Sequence, residues 1–203
     1  MNKSAEQGYA PAQGIIQGFT MNLSGTNRDP VKNEMYLLRG AEQGNADSQF
    51  WLGVAYEQNW FGTTDLKEAA KWYRKAAEQG QPDAQTSLGM LYEDGDGVEQ
   101  NYAIAAEWYR KAAEHVPDLG GAGVGRSRLA FLYMEGHGVP KDYVQAYMWY
   151  RVRDPEHKTN LKDLELLMTP AQILAANELA AKWQKEHPWP REQESPRSPG
   201  SDR

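Results

Sequence analysis

The four histidines, His115, His137, His157 and His187, are the first residues to weigh for metal or acid–base chemistry, because imidazole titrates near neutrality and ligates zinc. They fall in separate segments, and none forms an HxxxH or HExxH pair that would place two imidazoles on one helical face. No metal site is expected. The run Glu93-Asp94-Gly95-Asp96-Gly97 offers oxygen donors, but without the ligand spacing and closing glutamate of a calcium loop. Gly95 and Gly97, with Gly136 and Gly138, could cradle a phosphate, yet no strand precedes them and no Gly-Lys-Ser/Thr follows, so helix termination is the better reading. The chain has no cysteine and hence no thiol nucleophile, and Ser48, Ser87 and Ser127 have no visible histidine partner. A hydrolase would have to draw on carboxylates such as Glu57, Glu93 and Asp94, whose spacing supplies no acid–base pair. What remains is binding without catalysis and without a cofactor.

The elements that carry these residues recur. The tetrapeptide AEQG begins at Ala5, Ala41 and Ala77 and AEH begins at Ala113, a spacing of 36 residues each time. Aligning 41–76 with 77–112 superposes Leu52-Gly53 on Leu88-Gly89, Tyr56 on Tyr92, Ala69 on Ala105, and Trp72-Tyr73-Arg74-Lys75-Ala76 on Trp108-Tyr109-Arg110-Lys111-Ala112. A fourth copy returns as Leu129, Tyr133, Gly136, Gly138, Val139, Ala146 and Trp149-Tyr150, displaced by 41 because the Gly-rich stretch Leu119 to Gly125 reads as a longer inter-repeat loop. The first copy, residues 1–40, is degenerate, with Ile16, Gln17, Asn33 and Tyr36-Leu37 at the key positions, and is expected to cap the stack or to be partly disordered.

Each full copy reads as two helices. Ala84, Leu88, Leu91 and Tyr92 lie on one helical face and stop at Gly95; a second helix capped near Asn101 carries Ala105, Trp108, Tyr109 and Ala112. One pair cannot bury its apolar face alone, so the expected fold is all-α: a right-handed α-solenoid of stacked antiparallel helix pairs, with Gly89 and Ala105 permitting close approach and Trp108 filling the space between repeats. The recurring Trp-Tyr pairs are accordingly read as packing, and the Arg-Lys pairs that end the second helices as a solvated face complementing the helix dipole. Residues 154–187 should supply capping helices, one opened by Thr169-Pro170-Ala171-Gln172 with an N-cap, a proline at N1 and a capping-box glutamine. Residues 188–203, rich in proline and charge without periodicity, should be disordered.

The formal charge is −6, from 28 acidic and 22 basic residues, so no overall positive field favours nucleic acid or an anionic membrane. No stretch is long and apolar enough to insert into a bilayer, and Met1-Asn2-Lys3-Ser4-Ala5 opens without an apolar signal core. A monomer is expected. The compartment stays open: cytoplasmic if Met1 is the native start, periplasmic or secreted if a signal segment lies upstream.

The pattern LGxLYxxGxGVxxxYxxAxxWYRKAAE, almost intact from Leu88 to Glu114, resembles the Sel-one-like repeat family of the tetratricopeptide-like superfamily, strongly over residues 41–153. The resemblance implies an adaptor or scaffold that binds another protein, or an immunity or inhibitor protein that occludes a toxin, and no catalysis. It also implies that the first helix of each pair lines a concave groove. The groove positions are then Phe50, Val54 and Glu57; Thr86, Met90 and Asp94; Ser127, Phe131 and Met134, an apolar surface with an acidic rim. The copies differ most at their turns, where copy two has Asn59-Trp60-Phe61-Gly62 in place of Gly-Asp-Gly or Gly-His-Gly. Trp60 and Phe61 are candidate interface anchors if they stay exposed, and packing residues if they fold back over their own repeat.

Overall fold

The structure, a computed structural model, describes residues 30–115, 120–153 and 159–188. Residues 1–29, most of copy one, and the tail from residue 189 lie outside them. Nine helices occupy the described residues: α1 (Pro30–Glu42), α2 (Ala46–Glu57), α3 (Leu66–Glu78), α4 (Pro82–Asp94), α5 (Tyr102–Ala113), α6 (Gly121–Glu135), α7 (Tyr143–Arg153), α8 (Thr159–Glu165) and α9 (Pro170–Glu186). The pairs α2–α3, α4–α5 and α6–α7 stack through α3 on α4 and α5 on α6; α1 packs on α2, and α8 and α9 pack on α7. The result is a helical solenoid. The first helices α4 and α6 also touch directly, which sets them on the tighter side of the stack.

Local chemistry fixes the helix ends. The side chains of Asn45, Gln81 and Asn101 accept the backbone N–H of Ser48, Ala84 and Ile104, and Asp65 accepts those of Lys67 and Glu68. Gly95 and Gly136 stop α4 and α6 in the left-handed region, at φ 82° and 79°. The expected capping box of α9 is present, with Thr169 and Gln172 bonded reciprocally.

A second set of bonds ties each pair to the one before it. Gln49 Nε2 donates to the Ala41 carbonyl (3.0 Å), Gln85 Nε2 to Ala77 (3.1 Å) and Arg126 Nε to Ala113 (2.9 Å). These acceptors are the alanines that open the recurring AEQ and AEH motifs, helix-end carbonyls, of which Ala41 and Ala77 also accept the turn N–H of Gly44 and Gly80. Arg126 is fully buried. Its charge sits at the negative end of α5, and the Trp183 ring covers it at 4.8 Å, so α9 closes the stack over a guanidinium rather than over hydrocarbon alone.

Three expectations about packing are corrected. Trp108 fills the space between repeats only in part: it packs against the core around Tyr73 and Leu88 shared with the preceding pair, but it is half-buried, with Lys111 Nζ 3.9 Å from its ring centre. Its neighbour Tyr109 is fully buried against Gly89, where an added Cβ would lie 2.6 Å from the ring, and Tyr73 stands over Gly53 at the same distance. The glycines make room for tyrosine rings. The Gly-rich insertion is not wholly a loop either, because Gly121 to Gly125 form the first turns of α6. A Cβ on Gly121 would fall 2.5 Å from Asp83 Cα, so glycine lets this helix start lie directly on α4. Nor are the Arg-Lys pairs merely solvated: Lys75 Nζ sits 3.7 Å over Trp72, and Arg110 donates to the Tyr133 hydroxyl of the next pair at 2.9 Å.

Candidate partner-binding face

The first helices carry a repeated polar bridge. Tyr73 on α3 donates its hydroxyl to Glu57 on α2 (2.8 Å). One repeat later Tyr109 on α5 donates to Glu93 on α4, and Arg128 of α6, at the position equivalent to Ser87, approaches the other oxygen of Glu93 at 3.4 Å. Burial and the facing carboxylate push the tyrosine hydroxyls upward. For Tyr73 and Tyr109 burial is the largest cause, followed by Glu57 and Glu93, so both phenols stay protonated donors across the physiological range. Tyr56, bonded to Glu34, is pushed up to about 12, again chiefly by burial. Glu57 and Glu93 are therefore acceptors locked into the fold rather than an acid–base pair.

The predicted site residues divide into three groups. Val54 and Thr86 belong to the interior: both are buried, Val54 within the apolar core around Tyr73 and Leu88, Thr86 with its hydroxyl donating to the Gly121 carbonyl at 2.7 Å. They cannot line an open groove, because α6 lies over one and the α3–α4 packing encloses the other. Trp60 and Phe61 fold back over their own repeat. Trp60 is half-buried and stacked on Trp51 (6.1 Å between centroids), and Phe61 meets Tyr56 edge-on at 5.5 Å, which takes both rings out of a free loop tip. The third group retains surface. Phe50, Glu57, Met90, Ser127 and Met134 are half-buried, Asp94 is exposed, and Phe131 is 37% exposed.

Asp94 also falls one residue off the register of the others. The position equivalent to Glu57 is Glu93, which is buried, and its counterpart in copy four is Met134. Arg128 was not among the expected site residues; the signal for it was a change of type at one aligned position, from Trp51 through Ser87 to Arg128. Two further features lie away from this face. A cavity of ≈ 460 Å³ sits among Tyr147, Arg151, Leu161, Lys162, Glu165, Ile173 and Asn177, with Tyr147 donating to Glu165 across it at 2.9 Å. Leu166 and Leu167, in the turn between α8 and α9, and Leu174 and Leu179 on α9 are exposed. Among the described residues there is no cluster of potential metal ligands and no helix long and apolar enough to cross a membrane.

Stacked helix pairs, glycine-seated tyrosines and a face of varied side chains define a helical-repeat protein. The Sel1 repeat model matches residues 20–45, 46–81, 82–115 and 124–151, over half of the chain, and the chain belongs to that family. A Sel1 repeat protein from Oxalobacter formigenes is similar in structure, with a TM-score of 0.70 and 30% identity over 90% of this chain and 76% of that one. So is c5321, a protective antigen of uropathogenic Escherichia coli strains displaying an SLR fold, with a TM-score of 0.57 and 27% identity. That alignment covers 90% of this chain but 47% of the antigen, so this chain spans about half its length. No curated protein sequence matches. Sel1 repeat proteins are generally protein-interaction scaffolds and typically non-catalytic.

Proposed function

We propose that this protein is an adaptor that holds a segment of a partner protein along the face made by its first helices, centred on α4 and α6. The observation that carries this reading is the fate of one aligned position. Val54 is buried, Met90 is half-buried, and Phe131 is 37% exposed, so the residue that packs in copy two projects a large aromatic surface in copy four. Exposed aromatics of this kind dominate interface energies. Met90 and Met134 add adaptable apolar contact, and the Tyr109–Glu93–Arg128 bridge holds the floor between α4 and α6 rigid. Trp60 and Phe61 are used in packing against Trp51 and Tyr56 of their own pair.

The test is affinity purification from the native cell with mass spectrometry, comparing the wild type with Phe131→Asp and with Glu107→Arg on an exposed position of a second helix. A partner lost with Phe131→Asp, retained with Glu107→Arg, and lost without any fall in melting temperature supports the reading. A partner retained by Phe131→Asp places binding elsewhere on the molecule.

A further inference from the structure

Resting on that reading of the first-helix face, we infer that its occupant is a cationic segment with interspersed apolar residues, its basic side chains lying against the turns that join first to second helices. The two edges of the solenoid differ in charge. At the opposite edge acids and bases alternate, as in Lys75 and Glu78, then Lys111 and Glu114. At the edge nearest Phe131, Asp94, Asp96, Glu99 and Glu135 are all exposed, and none is in an ion pair among the described residues. The bases there are Lys67, at the start of α3 against Gly97, and Lys141, whose ammonium lies over the Tyr143 ring at 5.1 Å, against four carboxylates.

The apolar and acidic features are contiguous. Phe131 meets the His137 ring at 6.4 Å, His137 lies 4.9 Å from Tyr102, and Gln100, next to Glu99, bonds the Tyr102 hydroxyl at 3.2 Å. An aromatic anchor thus borders the acidic turns of copies three and four. A partner bringing carboxylates would meet like charge here, and a purely apolar one would strand four solvated carboxylates at its margin. A segment that alternates lysine or arginine with leucine-like residues satisfies both.

Three synthetic peptides of equal length test this by fluorescence anisotropy: one of lysine and leucine, one with every lysine replaced by glutamate, and one with every leucine replaced by serine. The wild type should bind the lysine–leucine peptide at least tenfold more tightly than either other peptide, with affinity falling as salt rises. Asp94→Asn with Asp96→Asn, Glu99→Gln and Glu135→Gln should weaken that binding about tenfold and flatten the salt dependence. Phe131→Ser should weaken it while leaving the salt dependence in place. Equal binding of the glutamate–leucine peptide would overturn the cationic inference and leave the apolar face standing. Equal binding of the lysine–serine peptide, unaffected by Phe131→Ser, would mean attraction to an acidic edge alone and would overturn both. Failure of all three to bind would overturn the inference for a partner of this chemistry, while a partner lost on Phe131→Asp in the native cell would still uphold the face.

Discussion

The turn of copy two and the turn of copy three close equivalent helix pairs by opposite means. In copy three, Gly97 at φ 69° lies so near the start of α3 that a Cβ would fall 2.3 Å from the Leu66 carbonyl oxygen, and backbone packs on backbone. In copy two Phe61 stands at that position, Asn59 takes the left-handed conformation at φ 61°, and the aromatic rings cover Trp51 and Tyr56 instead. A departure from the repeat is therefore not by itself a binding feature. Large residues at a turn can be consumed in covering their own pair, whereas the change from Val54 to Phe131 on a first helix adds surface that nothing in the described structure covers.

The contrast can be broken most forcefully at the tryptophans. Trp149 is buried in the last core and Trp108 is half-buried, so Trp149→Ala should cost about 3–5 kcal/mol and Trp108→Ala roughly half as much, read by denaturant unfolding. Equal losses would mean that the inter-repeat space depends on Trp108 as fully as the last core depends on Trp149. At the copy-three turn, Gly97→Ala should cost about 2–3 kcal/mol, since the added methyl meets backbone and the residue must hold a positive φ. At the copy-two turn, replacing Trp60-Phe61 by Asp-Gly removes two half-buried rings and should cost about 2 kcal/mol. An unchanged melting temperature there would return the pair to the list of exposed anchors.

A smaller effect should appear at high pH. A tyrosine whose folded pKa exceeds its unfolded value near 10 contributes stability that is present below pH ~10 and is lost as pH rises through the folded value. Tyr56, raised to about 12, with Tyr73, Tyr109 and Tyr147 also raised, should make the protein lose stability above pH ~10. Absorbance titration at ~295 nm should show a late-ionising group that appears together with loss of helicity; complete ionisation of all tyrosines near pH 10 with the fold intact would contradict these bridges.

Much of this architecture was legible because the repeat is a register. The 36-residue spacing fixes which residues are equivalent, and Asn101, Gly95 and the Thr169–Gln172 box fix where helices start and stop through local bonds alone. Orientation across the pair was not legible. Trp108 and Tyr109 are adjacent and both conform to the repeat; Gly89 across the pair makes room for the Tyr109 ring, while Trp108 is half-buried although the equivalent Trp72 and Trp149 are buried. Of the residues expected along the groove, Phe131, Met90 and Met134 keep surface, while Thr86 is claimed by the carbonyl of Gly121, a long-range contact that an inserted Gly-rich segment conceals. Arg128 was missed because its role depends on Glu93, a repeat away.

The most direct test of the account is site-specific photo-crosslinking in the native cell, with a benzophenone amino acid placed at Phe131, at Met90, and at the exposed second-helix position Glu107. If the first-helix face holds a partner, Phe131 and Met90 should yield one common protein adduct and Glu107 should not. An adduct formed from Glu107 but from neither Phe131 nor Met90 would contradict the assignment of the binding face.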